Sequence, residues 1–371
     1  MTAYFPPAHP KWGTVDAADA GLHPGRLQDA VTFAENNEST WPRDLAGNHL
    51  PTLTAEEPEP WNEIIGPIAA RGGPSGLFIR GGKIAAQWGD PGRADFTFSI
   101  AKSYLSILAG LAVAEGLITD IDHTVSGYAN GDLFSSEQNR SITWRHMLTQ
   151  TSEWQGTLFG KPDQVDHFRQ LGPGSDNSRK GQKRELMTPG AYWEYNDVRV
   201  NALSLALMQV FRRPLPEVLR DSIMAPIGAS DGWKWHGYRN SQVTIDGQDM
   251  TSVPGGTHWG GGMQINSYDH ARFGLLIQRN GEWAGRRILP EGWIGDLRAP
   301  CPINPVYGYL WWLNTGGAQY PSAPETSFFA MGAGTSLIWI DQEHDILMVA
   351  RWMDQASVDA VISGFMAALD G

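Results

Sequence analysis

The chain has 371 residues, of which 41% are hydrophobic and 18% charged, a composition typical of a globular protein with a large core. Its formal net charge of -12 argues against nucleic acid or an anionic membrane surface as a partner. The single cysteine, Cys301, excludes an internal disulfide and a cysteine-rich metal site. We see neither a secretory signal nor an apolar run long enough to span a bilayer, so the expected localisation is cytoplasmic.

The predicted elements alternate between helix-rich and strand-rich stretches. Pro24 opens an amphipathic helix, residues 37–75 predict a long surface excursion, and residues 76–88 predict two strands joined by a Gly81-Gly82 turn. Residues 155–188 are polar and glycine-rich, as in a loop over a pocket. Residues 232–254 predict short strands or a loop, and Ser267 is the predicted cap of the helix that follows it. Further helices are predicted at 103–116, 143–150, 197–211, 214–224, 268–279 and 357–369, and strands at 307–313, 326–331, 335–341 and 346–352.

Strand-rich segments at both chain ends predict one sheet assembled from both ends, with a helical region inserted between them. We therefore expect a single α+β unit over residues 1–371. Its α/β lobe would comprise about 20–98 and 257–371, and its mainly helical lobe about 99–256. Internal repeats, low-complexity tracts and linkers are absent from the sequence.

Ser99 and Lys102 lie at the start of the apolar helix predicted for residues 103–116. Three residues along a helix bring two side chains onto one face, so the lysine can reach the serine hydroxyl. A lysine activates a serine as a base only in its neutral form, which burial would favour. The spacing alone more often reflects a helix-capping serine and a lysine that extends to solvent.

Two further stretches are candidates for the same site. Tyr195 precedes a predicted helix and could shuttle a proton, or could simply pack the start of that helix. Residues 328–335 include Gly332 and Ala333 in a turn between strands, where a backbone N–H could join that of Ser99 in an oxyanion hole; the alternative is an ordinary β-turn.

The glycine-rich residues 255–263 could line a pocket, with His258 more often structural than a base in such a place. The 16 tryptophans suit an aromatic-lined pocket, although many of them must be core. Candidate substrate-binding residues are Asp197, His258, Trp259, Trp154 and Gly332, and no metal ligands or cofactor are expected.

Four segments together resemble the serine β-lactamase-like superfamily, nearest its class C β-lactamase, family VIII carboxylesterase and nylon-oligomer hydrolase branch. Residues 99–102 match its Ser-x-x-Lys motif, and residues 189–195 match Pro-Gly-x-x-Phe-x-Tyr. Residues 142–152 and 260–279 match its Ile-Thr-x-x-x-Leu-Leu-x-x-Thr-Ser and Gly-Gly-Leu…Ser-x-x-Asp-x-Ala-Arg-Phe segments. The resemblance extends from about residue 20 to the end. It implies a β-lactamase/transpeptidase-like fold.

The resemblance implies a serine hydrolase of small esters or amides that works through a Ser99 acyl-enzyme. Lys102 would be the base, Tyr195 the proton shuttle, and the N–H groups of Ser99 and Ala333 the oxyanion hole. The chain departs from the β-lactam-recognising members at Asp197, where they carry asparagine, and at Ala330, where they carry lysine or histidine. A small neutral substrate is therefore expected, with Asp197 adding negative charge nearby. The alternatives are a β-lactamase or D-amino-acid peptidase, an acyltransferase, or an inactive binding module; the oligomeric state is not predicted.

Overall fold

The computed structural model describes residues 3–46, 57–172 and 174–369. Its centre is an antiparallel sheet of six strands to which both ends of the chain contribute. This arrangement confirms the predicted α+β fold. In spatial order the strands are β12 (Trp312–Leu313), β13 (Phe328–Gly332), β14 (Ser336–Asp341), β15 (Ile346–Arg351), β1 (Ser75–Arg80) and β2 (Lys83–Trp88).

The two faces of the sheet cover different cores. On β1, Leu77 and Ile79 belong to the larger core, whereas Phe78 points to the opposite face and stacks on Phe365, with ring centroids 4.4 Å apart. This alternation is the period of two expected of a strand. Strands β1 and β2 are joined by Gly81 and Gly82, whose φ angles of 59° and 82° favour glycine, so the predicted hairpin is confirmed.

The remaining strands are short. One three-stranded sheet has the order β3 (Asp95–Phe96), β9 (Gly262–Ile265), β6 (Lys234–His236). The two-stranded pairs are β4 (Thr157–Leu158) with β5 (Lys161–Pro162), β7 (Gln242–Ile245) with β8 (Gln248–Thr251), and β10 (Glu282–Trp283) with β11 (Arg286–Arg287). Of the predicted strand 307–313, only the last two residues form a strand of the sheet. Tyr307 instead forms an isolated β-bridge with Trp312.

The helices follow the predicted pattern with small shifts. Residues 214–224 divide into a short α-helix and a π-helical turn at Arg220–Met224. The helix predicted to be capped by Ser267 is instead capped by Asn266, whose side chain accepts the N–H of Asp269 at 2.8 Å. The α-helices are α1 (Pro24–Asn36), α2 (Ile100–Ala114), α3 (Trp144–Leu148), α4 (Asp197–Phe211), α5 (Leu215–Leu219), α6 (Ser267–Gln278), α7 (Trp293–Leu297) and α8 (Val358–Ala367).

Helix α2 is buried on every side from Ile100 to Ala112, as expected of a helix that is apolar all round. It packs against β13, β14 and α4, so its first turn lies where the large sheet meets the helical region. The fold thereby places Ser99 at this junction. Within the described ranges, none of the helices has both the length and the apolar character needed to cross a membrane.

Candidate active site

Ser99 directly precedes helix α2 and follows a strained residue. Phe98 has φ 49°, a left-handed conformation that is uncommon for a non-glycine residue. Its ring makes T-shaped contacts with the rings of Trp41 and Trp352, at 5.5 Å and 6.2 Å between centroids. Ser99 itself is half-buried and lies at the N-terminal end of this buried helix.

The predicted pairing of Ser99 and Lys102 is present. The Nζ atom of Lys102 donates a hydrogen bond to Ser99 Oγ at 2.9 Å and another to the Gly255 carbonyl at 3.3 Å. Lys102 is 1% exposed, which rules out the alternative of a lysine that extends to solvent. The side chain of Ser99 likewise makes no cap hydrogen bond to the helix, so it is not acting as a capping serine.

Tyr195 lies beside this pair. The Lys102 ammonium is 4.8 Å and the Arg169 guanidinium 5.4 Å from the centre of its ring. Trp312 stacks on the same ring at 5.7 Å between centroids, and Tyr307 meets it edge-on at 6.3 Å. Two cations therefore lie within cation–π distance of this one ring.

Asp197 is the first residue of α4, and its carboxylate contacts Lys102 directly. Its Oδ1 atom forms an ion pair with Lys102, and its Oδ2 atom accepts Arg169 Nη1 at 2.7 Å. Burial would raise the pKa of this carboxyl, but Lys102 and Arg169 outweigh burial and hold it well below its usual range. Asp197 is therefore ionised and neutralised by two cations, so the expectation that it adds uncompensated negative charge near the substrate is wrong.

The protonation state expected for Lys102 is also corrected. Burial favours the neutral amine, as the sequence suggested, but the neighbouring Asp197 and Tyr195 outweigh burial and raise the pKa of Lys102. At neutral pH Lys102 is therefore an ammonium. It must lose a proton before it can act as the base for Ser99.

Further buried charged side chains lie against the far side of Asp197. His258 Nδ1 is 3.3 Å from Asp197 Oδ2, and its Nε2 atom pairs with Glu57. Lys180 pairs with Glu57 and lies 3.5 Å from an oxygen of Asp166. Cations hold the pKa of Glu57 at about 2 despite its burial. Burial lowers the pKa of His258, but the neighbouring Glu57 and Asp197 outweigh burial and raise it above its usual value.

Glu57, Asp166 and His258 present ligand atoms within 4.8 Å of one another, as some metal sites do. The Lys180 ammonium, however, is already paired with both carboxylates. Because a cation of the protein itself balances this group, we interpret it as an ion-pair network and assign it no metal.

The third predicted stretch contributes through its backbone. A Cβ atom on Gly332 would lie 2.2 Å from the Thr97 carbonyl oxygen, so β13 passes against the segment that leads into Ser99 only because this residue is glycine. Ala333 follows in the exposed turn after β13. Met331 packs on the opposite face of the sheet, near Tyr320, and Ala330 is fully buried, so neither offers the substrate an apolar surface.

The two predicted aromatic contacts are not supported by their positions. Trp154 is 1% exposed and donates its indole N–H to the Leu133 carbonyl at 2.7 Å, and Trp259 is 0% exposed. The aromatic residues beside Tyr195 that are only partly buried are instead Trp193 and Trp312.

Gly256 belongs to the glycine-rich stretch predicted to line a pocket. A Cβ atom there would lie 3.3 Å from Lys102 Nζ and 3.7 Å from Ser99 Oγ, so glycine keeps the space beside the pair open. Sequence reasoning missed three other residues of the site. Arg169, Asp166 and Lys180 come from the polar stretch 155–188, whose prediction as a loop over a pocket was the one available signal.

The sheet built from both chain ends and the buried helix that starts at Ser99 define a β-lactamase/transpeptidase-like fold. The sequence matches the Beta-lactamase family over residues 81–360, and the chain belongs to that family. Searching curated protein sequences gave no significant match.

Solved structures share the fold at low sequence identity. EstCE1, described as a hydrolase with promiscuous acyltransferase activity, is 15% identical at a TM-score of 0.57, over 94% of this chain and 98% of its own. A putative 6-aminohexanoate-dimer hydrolase from Bacillus anthracis is 16% identical at a TM-score of 0.54, over 79% of this chain and 77% of its own. A penicillin-binding protein homologue from Caulobacter crescentus is 13% identical at a TM-score of 0.56, over 86% of this chain and 95% of its own.

Proposed function

We propose that the protein is a serine hydrolase that cleaves small carboxylic esters or amides through an acyl-enzyme on Ser99. The observation that carries this proposal is the 2.9 Å hydrogen bond between Lys102 Nζ and Ser99 Oγ in a buried setting beside Tyr195. An inactive binding module would have no need of a serine, a lysine and a tyrosine held together in this way.

In the proposed mechanism, neutral Lys102 takes the Ser99 proton while Oγ forms a bond to the carbonyl carbon. The resulting oxyanion accepts hydrogen bonds from the N–H groups of Ser99 and Ala333. The proton passes through Tyr195 to the leaving oxygen or nitrogen as its bond to the carbonyl carbon breaks. Water then attacks the acyl-enzyme, gives up its proton through the same residues, and releases the acid and the free Ser99 hydroxyl.

A fluorophosphonate probe tests this proposal, because it forms a stable bond only with an activated serine. We expect one equivalent of probe on the wild-type chain, located at Ser99 by peptide mass spectrometry, and none on Ser99→Ala. Ser103→Ala is the matched control: Ser103 lies one turn along α2 and donates to the Leu310 carbonyl at 2.9 Å, so its loss should leave labelling intact. Labelling of Ser99→Ala equal to that of the wild type would contradict the proposal.

Neutral esters are expected to be better substrates than cephalosporins. Ala330 offers no cation to a substrate carboxylate, and Arg169 is already paired with Asp166 and Asp197. An anionic β-lactam therefore forgoes a charge-assisted hydrogen bond worth about 1.5–3 kcal/mol, or about ten- to a hundredfold in kcat/KM. Parallel assays with short p-nitrophenyl esters and a chromogenic cephalosporin measure this difference. Faster turnover of the cephalosporin than of every ester would favour a β-lactamase instead.

A further inference from the structure

Lys102 is surrounded by three oxygen atoms of the protein. Ser99 Oγ lies at 2.9 Å and the Gly255 carbonyl oxygen at 3.3 Å, and Asp197 Oδ1 forms an ion pair with the ammonium. An ammonium has three N–H donors, whereas a neutral amine has two and a lone pair. The arrangement thus suits the ammonium form, and with Lys102 1% exposed no bulk water competes for these positions.

The charged groups that face Lys102 come from several elements. Tyr195 and Asp197 lie at the start of α4, Arg169 comes from the loop before it, and His258 comes from the glycine-rich segment that follows β8. Arg169 and His258 reach Lys102 only through the far oxygen of Asp197. Asp197 is therefore the one anion in direct contact with Lys102 among the described residues.

The outer members of the network hold Asp197 in place. Its backbone N–H donates to Asp166 Oδ2 at 2.7 Å, and its Oδ2 atom lies against His258, which is anchored in turn by Glu57. Lys180 joins Glu57 to Asp166. The carboxylate that faces Lys102 is thus fixed from behind and cannot swing away at little cost.

We propose that Asp197 is a positioning residue that holds Lys102 in its ammonium form, so that reaction at Ser99 becomes faster as the pH rises through the neutral and mildly alkaline range. An asparagine at position 197, with its neutral amide, would leave Lys102 freer to lose its proton. The inference rests on the proposed function of Ser99 and Lys102. The raised pKa of Lys102 described above agrees with it.

The pH dependence of kcat/KM for a neutral ester tests the inference. For the wild type we expect log kcat/KM to rise with a slope near one up to at least about pH 9, because only the deprotonated fraction of Lys102 reacts. In Asp197→Asn the rising limb should move to lower pH by at least about one unit, the usual effect of removing an opposite charge in contact. At pH 7 the kcat/KM of the variant should then be an about tenfold larger fraction of its own plateau value than that of the wild type.

Asp163→Asn is the matched control. Asp163 is also a buried carboxylate, but its partners are the Gly156 N–H at 3.0 Å, His167 at 3.0 Å and Arg199 at 3.5 Å, not Lys102. The rising limb of the pH profile of Asp163→Asn should coincide with that of the wild type. This result would separate a specific effect on Lys102 from a general loss of buried charge. A limb of Asp197→Asn that coincides with the wild type, or moves to higher pH, overturns the inference.

A second measurement needs only the wild type and serves if Asp197→Asn does not fold. The rate of inactivation by the fluorophosphonate probe should still be rising at about pH 9, whereas a plateau reached below about pH 8 overturns the inference. The proposed function fails in a different way: the wild type would then neither hydrolyse esters nor take up the probe at any pH.

Discussion

Ser99→Ala is expected to lower kcat/KM for a neutral ester by at least about a thousandfold, because no other group of the proposed mechanism can form the acyl-enzyme. The lost hydroxyl accepts one hydrogen bond, from Lys102, and makes no cap contact with α2, so the fold should be nearly unaffected. Lys102→Met should be almost as inactive, since the serine then has no base. Because the two residues act as one unit, the double variant should be little slower than either single variant.

Lys102→Met and Ser99→Ala should differ in their effect on the stability of the fold. Loss of Lys102 removes one partner of a buried ion pair with Asp197, a change that typically costs about 3–5 kcal/mol in the free energy of unfolding. The remaining contacts of Asp197 to Arg169 and His258 should reduce that cost. Urea unfolding monitored by circular dichroism should therefore show a lower midpoint for Lys102→Met than for Ser99→Ala. Folded Ser99→Ala with near-wild-type turnover would overturn the assignment of the nucleophile.

The parts of the fold that sequence predicted well are those in which local pattern and tertiary packing agree. Helix α4 begins and ends where the apolar periodicity places it, and the Gly81-Gly82 turn joins the strands on either side of it. Ser99 and Lys102 were predictable as a pair because three residues of helix fix their relative position. The strand predicted at 307–313 was too long, since aromatic residues suit a strand and a packed loop equally well.

The electrostatics of the site could not be predicted from local pattern. Burial of Lys102 was foreseen, but the sign of its pKa change depends on Asp197, 95 positions along the chain, lying in contact with it. Glu57 comes from a stretch predicted as a surface excursion and Lys180 from one predicted as a loop over a pocket, and their pairing is visible only in three dimensions. Trp154 and Trp259 show the converse error, because an aromatic side chain near a motif is more often core than pocket.

Tyr195→Phe is expected to lower kcat by about a hundred- to ten-thousandfold, the usual contribution of a positioned acid or base, with a smaller change in KM. The ring would keep its stacking on Trp312 and its position near the Lys102 and Arg169 cations, so binding and folding lose little. Steady-state kinetics with an ester series, together with thermal unfolding, measure both parts of this expectation.

The structure provides a matched control for Tyr195 in the adjoining ring of Tyr307. The Tyr307 hydroxyl accepts a hydrogen bond from Gln150 Nε2 at 3.0 Å, and burial, aided by Tyr195, raises the pKa of this phenol well above its usual range. It therefore stays protonated and has a structural partner. Tyr307→Phe should cost about 1 kcal/mol of stability and leave kcat nearly unchanged. If both variants instead lost stability and neither lost turnover, Tyr195 would be a packing residue like its neighbour, and the proton would have to reach the leaving group from Lys102 by another route.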